Sequence, residues 1–262
     1  MRIVSWNVNG IRAAEKRGLV SWLQEDDPDI LCVQETKARP EQLSPRLRAP
    51  PDKNGAAYHS YWASAQRAGY SGVAVYSKTP LTVEPLGTAE FDDEGRVIKA
   101  DVGDFVLICA YFPNSQDAGA RLPYKMRFCA AMSACCNALL AAGRHIVLCG
   151  DYNIAHKPLD LARPEDNEGC PGYFPEERAW MDSFTGAGFV DTFRHFHPDE
   201  SGHYSWWSYR THARERNVGW RIDYHCVDAG LLSQVRNPVI RAEVEGSDHC
   251  PVEISLDSFK GT

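Results

Sequence analysis

Five short motifs spread along the chain each place an acidic, amide or imidazole side chain at the end of an apolar, strand-like run. They are residues 5–10 (SWNVNG), 33–37 (VQETK), 149–153 (CGDYN), 220–224 (WRIDY) and 246–250 (GSDHC). Strand ends are rigid positions from which polar groups reach a cleft. Oxygen-rich side chains collected in this way suit a hard divalent cation and phosphate chemistry.

Taken singly, each motif also has an ordinary structural explanation. Asp151 and Asn153 can form a turn that hydrogen-bonds its own backbone. Asp248 and His249 can cap a helix, although Pro251 and the strand-like run after it argue against a helix there. The functional interpretation gives Asp151 the activation of water and Asn153 a contact to a phosphoryl oxygen. Five such motifs in one chain favour this second interpretation.

The apolar pattern predicts many strands and a few helices to carry these groups. The predicted helices cover residues 18–25, 122–142 and 175–187, with Gly143 as a helix stop and Pro175 as a helix start. A Pro-rich loop is predicted over 39–54. The predicted strands are 2–6, 30–33, 58–63, 72–76, 81–86, 97–101, 105–112, 146–149, 203–207, 222–227, 239–244 and 252–256. This mixture predicts a layered α/β protein.

Length and charge limit the possibilities further. The chain has 262 residues, of which 44% are hydrophobic, and no linker or repeat divides it, so we expect one domain over 1–262. The net charge of −7 argues against a nucleic-acid partner, which normally meets a basic surface. Acidic metal ligands lower that total, however. Basic residues cluster in the N-terminal third: Arg12, Lys16, Arg17, Lys37, Arg39, Arg46, Arg48, Lys53, Arg67 and Lys78.

The nine cysteines indicate a reducing compartment. Cys135 and Cys136 are adjacent, several others lie in apolar runs, and no Cys-x-x-Cys spacing occurs. Reduced, buried thiols are therefore expected, and a structural zinc site is not. Because no run of about 18 apolar residues and no secretory signal occur, we expect a cytoplasmic protein that does not bind membranes.

Together the motifs resemble the exonuclease III class of apurinic/apyrimidinic DNA endonucleases, within the exonuclease-endonuclease-phosphatase superfamily. Further similar runs are 69–75 (GYSGVAV), 111–114 (YFPN), 174–178 (FPEER) and 191–195 (DTFRH), and 217–223 (NVGWRID) is closest to the abasic-site branch. The resemblance covers essentially the whole chain. It implies a four-layer α/β (α+β) sandwich, in which two mixed β-sheets lie face to face and are flanked by helices.

The resemblance also implies the roles of individual residues. Glu35 becomes the central Mg²⁺ ligand, Asp151 orients or deprotonates the attacking water, and a cationic His249 held by Asp223 faces the phosphate. An Asn rather than an Asp at position 9 makes a second metal less secure. The implied metal site comprises Asn7, Glu35, Asp151, Asn153, Asp248 and His249. The implied catalytic residues are Tyr111, Asp151, Asn153, Asp223 and His249.

An apolar pocket for a flipped-out sugar without its base is implied at Trp206, Trp220 and Ile222, whereas Trp207 is expected to pack in the interior. Ordinary core packing is the alternative for all of these aromatic side chains. Family members insert side chains into the DNA grooves from positions 117 and 210; Asp117 is unfavourable near phosphates, while Arg210 can enter a groove. The implied DNA contacts are Arg12, Lys37, Tyr70, Asn114, Arg163, Asn167 and Arg210.

The resulting hypothesis is a monomeric, Mg²⁺-dependent base-excision-repair nuclease that cuts double-stranded DNA on the 5′ side of an abasic site and leaves a 3′-hydroxyl. Mn²⁺ is expected to support activity as well. Whether 3′-5′ exonuclease or 3′-phosphodiesterase activity accompanies this one is open, as is the choice between one and two ions. The general base is Asp151, Tyr111 as phenolate, or a metal-bound hydroxide. The alternatives are a superfamily phosphatase or phosphodiesterase acting on a non-DNA phosphate ester, and an inactive DNA-binding module.

Overall fold

The computed structural model describes residues 1–257, which form twelve strands and seven α-helices. The strands are β1 (Arg2–Asn7), β2 (Ile30–Gln34), β3 (His59–Ala63), β4 (Val73–Ser77), β5 (Thr82–Glu84), β6 (Val97–Asp101), β7 (Phe105–Tyr111), β8 (His145–Asp151), β9 (Phe189–Asp191), β10 (Asp223–Asp228), β11 (Val235–Ile240) and β12 (Val252–Leu256). The helices are α1 (Ile11–Lys16), α2 (Leu19–Asp26), α3 (Pro45–Arg48), α4 (Ala89–Asp92), α5 (Leu122–Ala141), α6 (Pro175–Gly186) and α7 (Thr192–Phe196).

The strands form two mixed sheets of six strands each. The first has the order β11-β12-β1-β2-β4-β3, and the second has the order β5-β6-β7-β8-β10-β9. Only β1 with β2 and β7 with β8 pair in parallel among the described strands; every other neighbouring pair is antiparallel. The two sheets therefore have corresponding central parallel pairs.

Three apolar layers hold the sheets and helices together. Side chains from both sheets, such as Cys32 and Leu107, meet between the sheets. The outer face of the second sheet packs on α5 and α6, where Phe128 contributes, and the outer face of the first packs on α1 and α2, where Leu23 contributes. Strands covered on both faces are continuously apolar, which is why β4 is buried at all five positions. The predicted sandwich of two mixed sheets flanked by helices is confirmed.

The longest helix, α5, matches its prediction closely. The sequence predicts 122–142, and the helix runs from Leu122 to Ala141 with a proline in its first turn. It ends where Gly143 takes a positive φ of 76° and the N–H of Arg144 donates to the carbonyl of Leu139 at 3.0 Å. No helix within residues 1–257 has both the length and the apolar character needed to cross a membrane.

Several sequence predictions are wrong. No strand forms over 203–207; there Trp206 makes isolated bridges to Trp220 and His249, so this segment ties two loops together instead of extending a sheet. The strand predicted over 239–244 is β11, four residues earlier, and its register shifts between Arg236 and Val239. The predicted loop 39–54 contains α3. The short elements α1, α4, α7 and β9 were not predicted.

Candidate active site

The carboxyl ends of the central parallel strands bring polar side chains from both sheets together. In the first sheet Asn7, at the end of β1, pairs with Gln34 at the end of β2, and Glu35 follows directly. In the second sheet Tyr111, at the end of β7, pairs with Asp151 at the end of β8. Asp151 also lies opposite the first residue of the antiparallel strand β10. The motifs that are distant in sequence thus share one edge of the sandwich.

Asn7 joins the two sheets at this edge. Its buried side-chain Nδ2 donates to Oε1 of Glu35 and to Oδ2 of Asp151, both at 2.9 Å. Its Oδ1 accepts the backbone N–H of Asn9 at 3.0 Å. Since one amide contacts both carboxylates, Asn7 sets their separation.

The backbone around the carboxylates adopts conformations that few residue types tolerate. Glu35 has a φ of 52° and Asn153 a φ of 50°, and non-glycine residues in this left-handed region cost about 1–3 kcal/mol each. Gly150 precedes Asp151, and a Cβ there would lie 1.9 Å from the carbonyl oxygen of Ala110. Only glycine therefore allows the ends of β7 and β8 to approach as they do.

The two carboxylates differ in their pKa. Burial raises the pKa of Glu35, but the attraction of Lys37 and the hydrogen bond from Asn7 outweigh it and leave the pKa below its ordinary value. Burial is also the main influence on Asp151; His249 opposes it, while Asp223 and Glu35 add repulsion, so the pKa of Asp151 rises to about 7. Glu35 is ionised at neutral pH, whereas Asp151 without a cation is half-protonated.

This centre fits a divalent cation. Carboxylate oxygens of Glu35 and Asp151 and a ring nitrogen of His249 lie within 4.8 Å of one another. Burial contributes most to the raised pKa of Asp151, and repulsion from Glu35 adds to it; a cation between the two carboxylates would relieve that repulsion. Carboxylate oxygens in small number are the protein ligands that Mg²⁺ takes. The ammonium of Lys37, 2.7 Å from Oε2 of Glu35, already brings positive charge to this point.

Asp248 lies beside this centre and is held in place through both of its oxygens. Oδ1 accepts from Nδ2 of Asn9 at 3.0 Å, and Oδ2 accepts from the indole Nε1 of Trp206 at 3.1 Å. Asn153 is fixed in a similar way: its Nδ2 donates to Oδ2 of Asp151 at 3.1 Å, and its backbone N–H donates to Oδ1 at 2.7 Å.

His249 is held by Asp223 and a serine that the sequence analysis did not single out. Nδ1 of His249 is 2.8 Å from Oδ2 of Asp223, and the hydroxyl of Ser205 donates to the same oxygen at 2.6 Å. Burial lowers the pKa of His249, but Asp223 and, more weakly, Asp151 outweigh it and raise the pKa to about 10. The imidazole is therefore a cation at neutral pH. Its Nε2 points toward Oδ2 of Asp151, 3.9 Å away.

Tyr111 is held by Arg96, another residue that sequence reasoning missed. The buried guanidinium lies 4.9 Å from the centroid of the Tyr111 ring and donates from Nη1 to the Tyr111 carbonyl at 3.0 Å. Burial and the nearby Glu35 and Asp151 raise the pKa of Tyr111 well above its ordinary range, against the opposing effect of Arg96. The phenol keeps its proton at neutral pH and can donate a hydrogen bond.

A cavity of about 210 Å³ opens beside these groups. Trp206, Trp220 and Ile222 line it, together with Pro171 and Gly172, which the sequence analysis did not name. The two indoles meet edge to face, with ring centroids 6.3 Å apart. Glu35, Tyr111, Asn114, Asn153, Asp248 and His249 also border the cavity. The predicted apolar walls therefore share one space with three of the predicted catalytic residues, Tyr111, Asn153 and His249, while Asp151 and Asp223 do not line it. Trp207 packs in a separate apolar cluster.

The predicted DNA-contact residues lie in different surroundings. Lys37 lines a groove of about 600 Å³ with Arg12 and Lys16, next to the carboxylates. Asn114 donates from Nδ2 to Oδ1 of Asn153 at 3.1 Å. The remaining predicted contacts, with the groove-inserting candidates, are partly or largely exposed side chains at Tyr70, Asp117, Arg163, Asn167 and Arg210.

Tyr70 is embedded in a cationic network. Its hydroxyl accepts from Nη2 of Arg96 at 2.9 Å and from the guanidinium of Arg121, and Glu94 pairs with Arg121 at 2.7 Å. The same Arg96 holds Tyr111, so one buried side chain connects Tyr70 to the edge of the sandwich where Tyr111 and Asp151 lie, called the catalytic edge below. A sequence pattern gives no sign of this link, since Arg96 starts an ordinary strand-like run.

Two facing mixed sheets with an acidic, histidine-containing centre at their strand ends define the class of this protein. Residues 4–249 match the Endonuclease/Exonuclease/phosphatase family, and the chain belongs to that family. It is 44% identical over 260 residues to an exodeoxyribonuclease of Bacillus subtilis, covering 98% of this chain and all of that one. It is 42% identical to the DNA repair nuclease APEX1 of Danio rerio, covering 98% of this chain and 82% of that protein.

Solved structures agree with the sequence relatives. The crystal structure of the APE2 catalytic domain of Xenopus laevis superimposes with a TM-score of 0.83 at 32% identity, covering 98% of this chain and 91% of that one. The family resemblance inferred from the motifs is confirmed by these matches. Because the similarity extends over nearly the full length, the strand-end motifs can be compared within a common fold.

Proposed function

We propose that this chain is a Mg²⁺-dependent nuclease of DNA base-excision repair, which hydrolyses the phosphodiester on the 5′ side of an abasic site and leaves a 3′-hydroxyl. One observation carries the proposal: Glu35 and His249, which form a centre with the buried Asp151, both border the cavity walled by Trp206 and Trp220. Hydrolytic groups and a pocket for an extrahelical sugar are adjacent, as cleavage beside an abasic site requires.

The metal site in this proposal centres on Glu35. Asp151, Asn7 and Asp248 surround it, while His249, protonated and hydrogen-bonded to Asp223, acts as a cation and not as a ligand. A bound Mg²⁺ would neutralise charge that develops on the phosphate oxygens. Mn²⁺, which accepts similar oxygen ligands, would support the same chemistry.

Three side chains act on water and phosphate. Asp151, with a pKa near 7 in the cation-free protein, accepts the proton of the attacking water, and Asn153 holds its carboxylate in place. His249 presents positive charge to the phosphate, where negative charge develops during attack. Tyr111 donates a hydrogen bond to the same phosphate, since its raised pKa disfavours a phenolate base.

The cavity selects the damaged sugar. Its walls of Trp206, Trp220 and Ile222 offer apolar surface but no base-reading edge. A deoxyribose without its base can enter such a space, whereas an intact nucleotide must also bring in its base and unpair it. In this proposal the cavity therefore distinguishes an abasic sugar from an intact nucleotide by the size of the group that enters it.

In this proposal duplex DNA lies across the groove lined by Arg12, Lys16 and Lys37, called the basic groove below, despite the net charge of −7. Arg12, Lys16 and Lys37 line that groove next to the carboxylates and would neutralise phosphates without reading sequence. We propose a monomer with a single catalytic domain over 1–262, because the groups from Asn7 to His249 form the site without a residue from a second copy. We place it in the cytoplasm, where its nine thiols would stay reduced.

The decisive experiment incubates the purified protein with a duplex carrying one tetrahydrofuran abasic analogue. We expect a single Mg²⁺-dependent cut on its 5′ side with a 3′-hydroxyl product, and no cut in the same duplex without the analogue. Absence of cleavage, or cleavage that persists in EDTA, would refute the proposal. Inositol phosphates tested in parallel examine the alternative of a non-DNA phosphoesterase, and strands with 3′-phosphoglycolate ends examine 3′-phosphodiesterase activity.

A further inference from the structure

A buried ion pair lies directly behind the active site. Lys125 on α5 and Glu177 on α6 are each 0% exposed, and Nζ of Lys125 is 2.7 Å from Oε1 of Glu177. Apolar residues of similar volume commonly stabilise a fold as well as or better than a buried ion pair does. Stability alone therefore does not explain the pair, and its other hydrogen bonds indicate a second role.

Lys125 reaches the catalytic edge with a second hydrogen bond. Its Nζ donates to the backbone carbonyl of Asn153 at 2.5 Å. Gly172 also lies close to that carbonyl, since a Cβ at this position would be only 3.1 Å from the oxygen. Asn153 has a φ of 50°, a conformation that surrounding contacts must maintain. The hydrogen bond from the ammonium therefore holds the Asn153 carbonyl at a point where the backbone packs closely.

Glu177 extends the same control to the loop after β7. Its Oε1 accepts the hydroxyl of Ser115 at 2.5 Å, and its Oε2 accepts the backbone N–H of Phe174 at 2.9 Å. Ser115 follows Asn114, whose side chain donates to Oδ1 of Asn153 at 3.1 Å. The ion pair thus fixes Asn153 through its backbone and, by way of the loop, through its side chain.

We propose that Lys125 and Glu177 are a positioning pair for the hydrolytic groups. Asn153 holds both oxygens of Asp151, at 2.7 and 3.1 Å, so a displacement of Asn153 moves the carboxylate that activates water. Neither member of the pair borders the cavity or the basic groove. Loss of the pair therefore lowers turnover and leaves DNA binding nearly unchanged. The role in turnover rests on the function proposed above.

The test compares three variants with the wild-type protein. Lys125→Met keeps the length of the side chain and leaves Glu177 charged and unpaired. Lys125→Met/Glu177→Gln removes both charges, and Lys125→Arg keeps the charge and the donor. Lys99→Met is the matched control, because Lys99 on β6 is also a largely buried, ion-paired lysine, 3.1 Å from Glu84, and borders neither the cavity nor the basic groove.

Four quantities are measured for each protein: kcat and KM on the tetrahydrofuran duplex with Mg²⁺, the urea midpoint, and the hydrogen-exchange rate of the Asn153 amide. Lys125→Met lowers kcat about 10-fold or more, since a displacement of roughly 1 Å can cost 100-fold. The double variant recovers the urea midpoint but not kcat, KM stays within about threefold, and the Asn153 amide exchanges about 10-fold faster. Lys125→Arg restores most of kcat, and Lys99→Met changes none of the four quantities.

The proposal is overturned if the double variant turns over within about twofold of the wild type with an unchanged Asn153 exchange rate. It is also overturned if every loss of kcat equals the loss of folded protein. If Lys125→Met does not fold, the double variant decides alone, since it contains no unpaired buried charge. A wild-type protein that does not cut would refute the proposed function, and the exchange rate of Asn153 would still test the positioning role.

Discussion

Asp223 and His249 form a buried pair in which Oδ2 of the carboxylate lies 2.8 Å from Nδ1 of the imidazole. Ser205 donates to the same oxygen at 2.6 Å and accepts the backbone N–H groups of Ile222 and Asp223, both at 3.1 Å. The serine therefore orients the carboxylate, and the carboxylate orients the histidine. The result is a cationic imidazole with its Nε2 directed at the catalytic edge.

The first prediction concerns Asp223→Asn. Without the carboxylate, burial dominates and the pKa of His249 falls from about 10. The alkaline limit of activity then moves to lower pH, and kcat at pH 7 falls roughly 10- to 100-fold because the phosphate loses a neighbouring cation. A pH profile of kcat, with the His249 ring resonances followed by NMR, measures both effects.

His249 also makes the stability of the fold depend on pH, in a direction that its raised pKa determines. The pKa of His249 is raised by folding, so its contribution is complete below the ordinary value of 6.5 and is lost as pH rises through about 10. The urea midpoints of wild type and Asp223→Asn should differ most near pH 6 and converge toward pH 10. Asp182→Asn is the control, because Asp182 is an exposed carboxylate that also pairs with a buried histidine, His156. An unaltered pH profile in Asp223→Asn would contradict the assigned role.

The sequence predicts this pair only in part. The apolar runs 146–149 and 222–227 locate strands β8 and β10, and the motifs identify Asp151 and Asp223 at their ends. Ser205 lies in a stretch predicted as a strand, and its hydrogen bonds depend on a loop that bridges Trp220 and His249. Such long-range contacts leave no periodic pattern in the local sequence.

The second prediction concerns the metal. Glu35 is ionised at neutral pH and contributes one of the two carboxylates of the centre. Glu35→Ala should raise the Mg²⁺ concentration for half-maximal activity about 10-fold or more, a loss comparable to that seen even for residues that only support a metal ligand. Mg²⁺ titrations of kcat and of the melting temperature measure it. Asp101→Ala, which removes an exposed carboxylate paired with Arg144, should leave both titrations unchanged.

The third prediction separates activity from stability at Asp151. Asp151→Asn should lower kcat roughly 10²-fold or more, since an amide accepts no proton from water. The folded-state pKa of Asp151 is raised to about 7 from an ordinary 3.8, so its contribution is complete below pH 3.8 and is lost as pH rises through 7. Above pH 7 the ionised carboxylate destabilises the cation-free fold.

In EDTA at pH 8, Asp151→Asn should therefore unfold at higher urea concentration than the wild type, although it turns over far less DNA when Mg²⁺ is restored. Asn153 can still donate its backbone N–H to the amide oxygen of the new side chain. Near-normal turnover would show that Asp151 is not the general base, and a metal-bound hydroxide would be the remaining candidate. A lower urea midpoint at pH 8 would show that the carboxylate stabilises the metal-free edge.

The burial of individual charged side chains is the feature of the site that the sequence predicts least well. Lys125 occurs within a correctly predicted helix, where a lysine would ordinarily face solvent, and yet it is fully buried against Glu177. The partner lies 52 residues away in sequence, so only the packing of α5 on α6 reveals the pair. Glu35, by contrast, follows an apolar strand whose end is visible in the sequence, and its place at the edge was predictable.

The last prediction concerns the cavity wall. Trp206 lines the cavity and also donates from Nε1 to Asp248 at 3.1 Å, so its two roles must be separated. Trp206→Ala opens the wall, and the ratio of cleavage at the tetrahydrofuran site to cleavage of intact duplex should fall about 10-fold or more, as expected when an apolar pocket loses its fit. Trp206→Phe keeps the aromatic wall and loses only the donor, so the ratio should stay near the wild-type value.

Single-turnover rates on the two duplexes give the ratio directly. Trp62→Ala, at a half-buried tryptophan on β3, controls for the loss of an indole elsewhere. If Trp206→Phe loses discrimination as fully as Trp206→Ala, the hydrogen bond to Asp248 controls selection, and the size of the cavity does not.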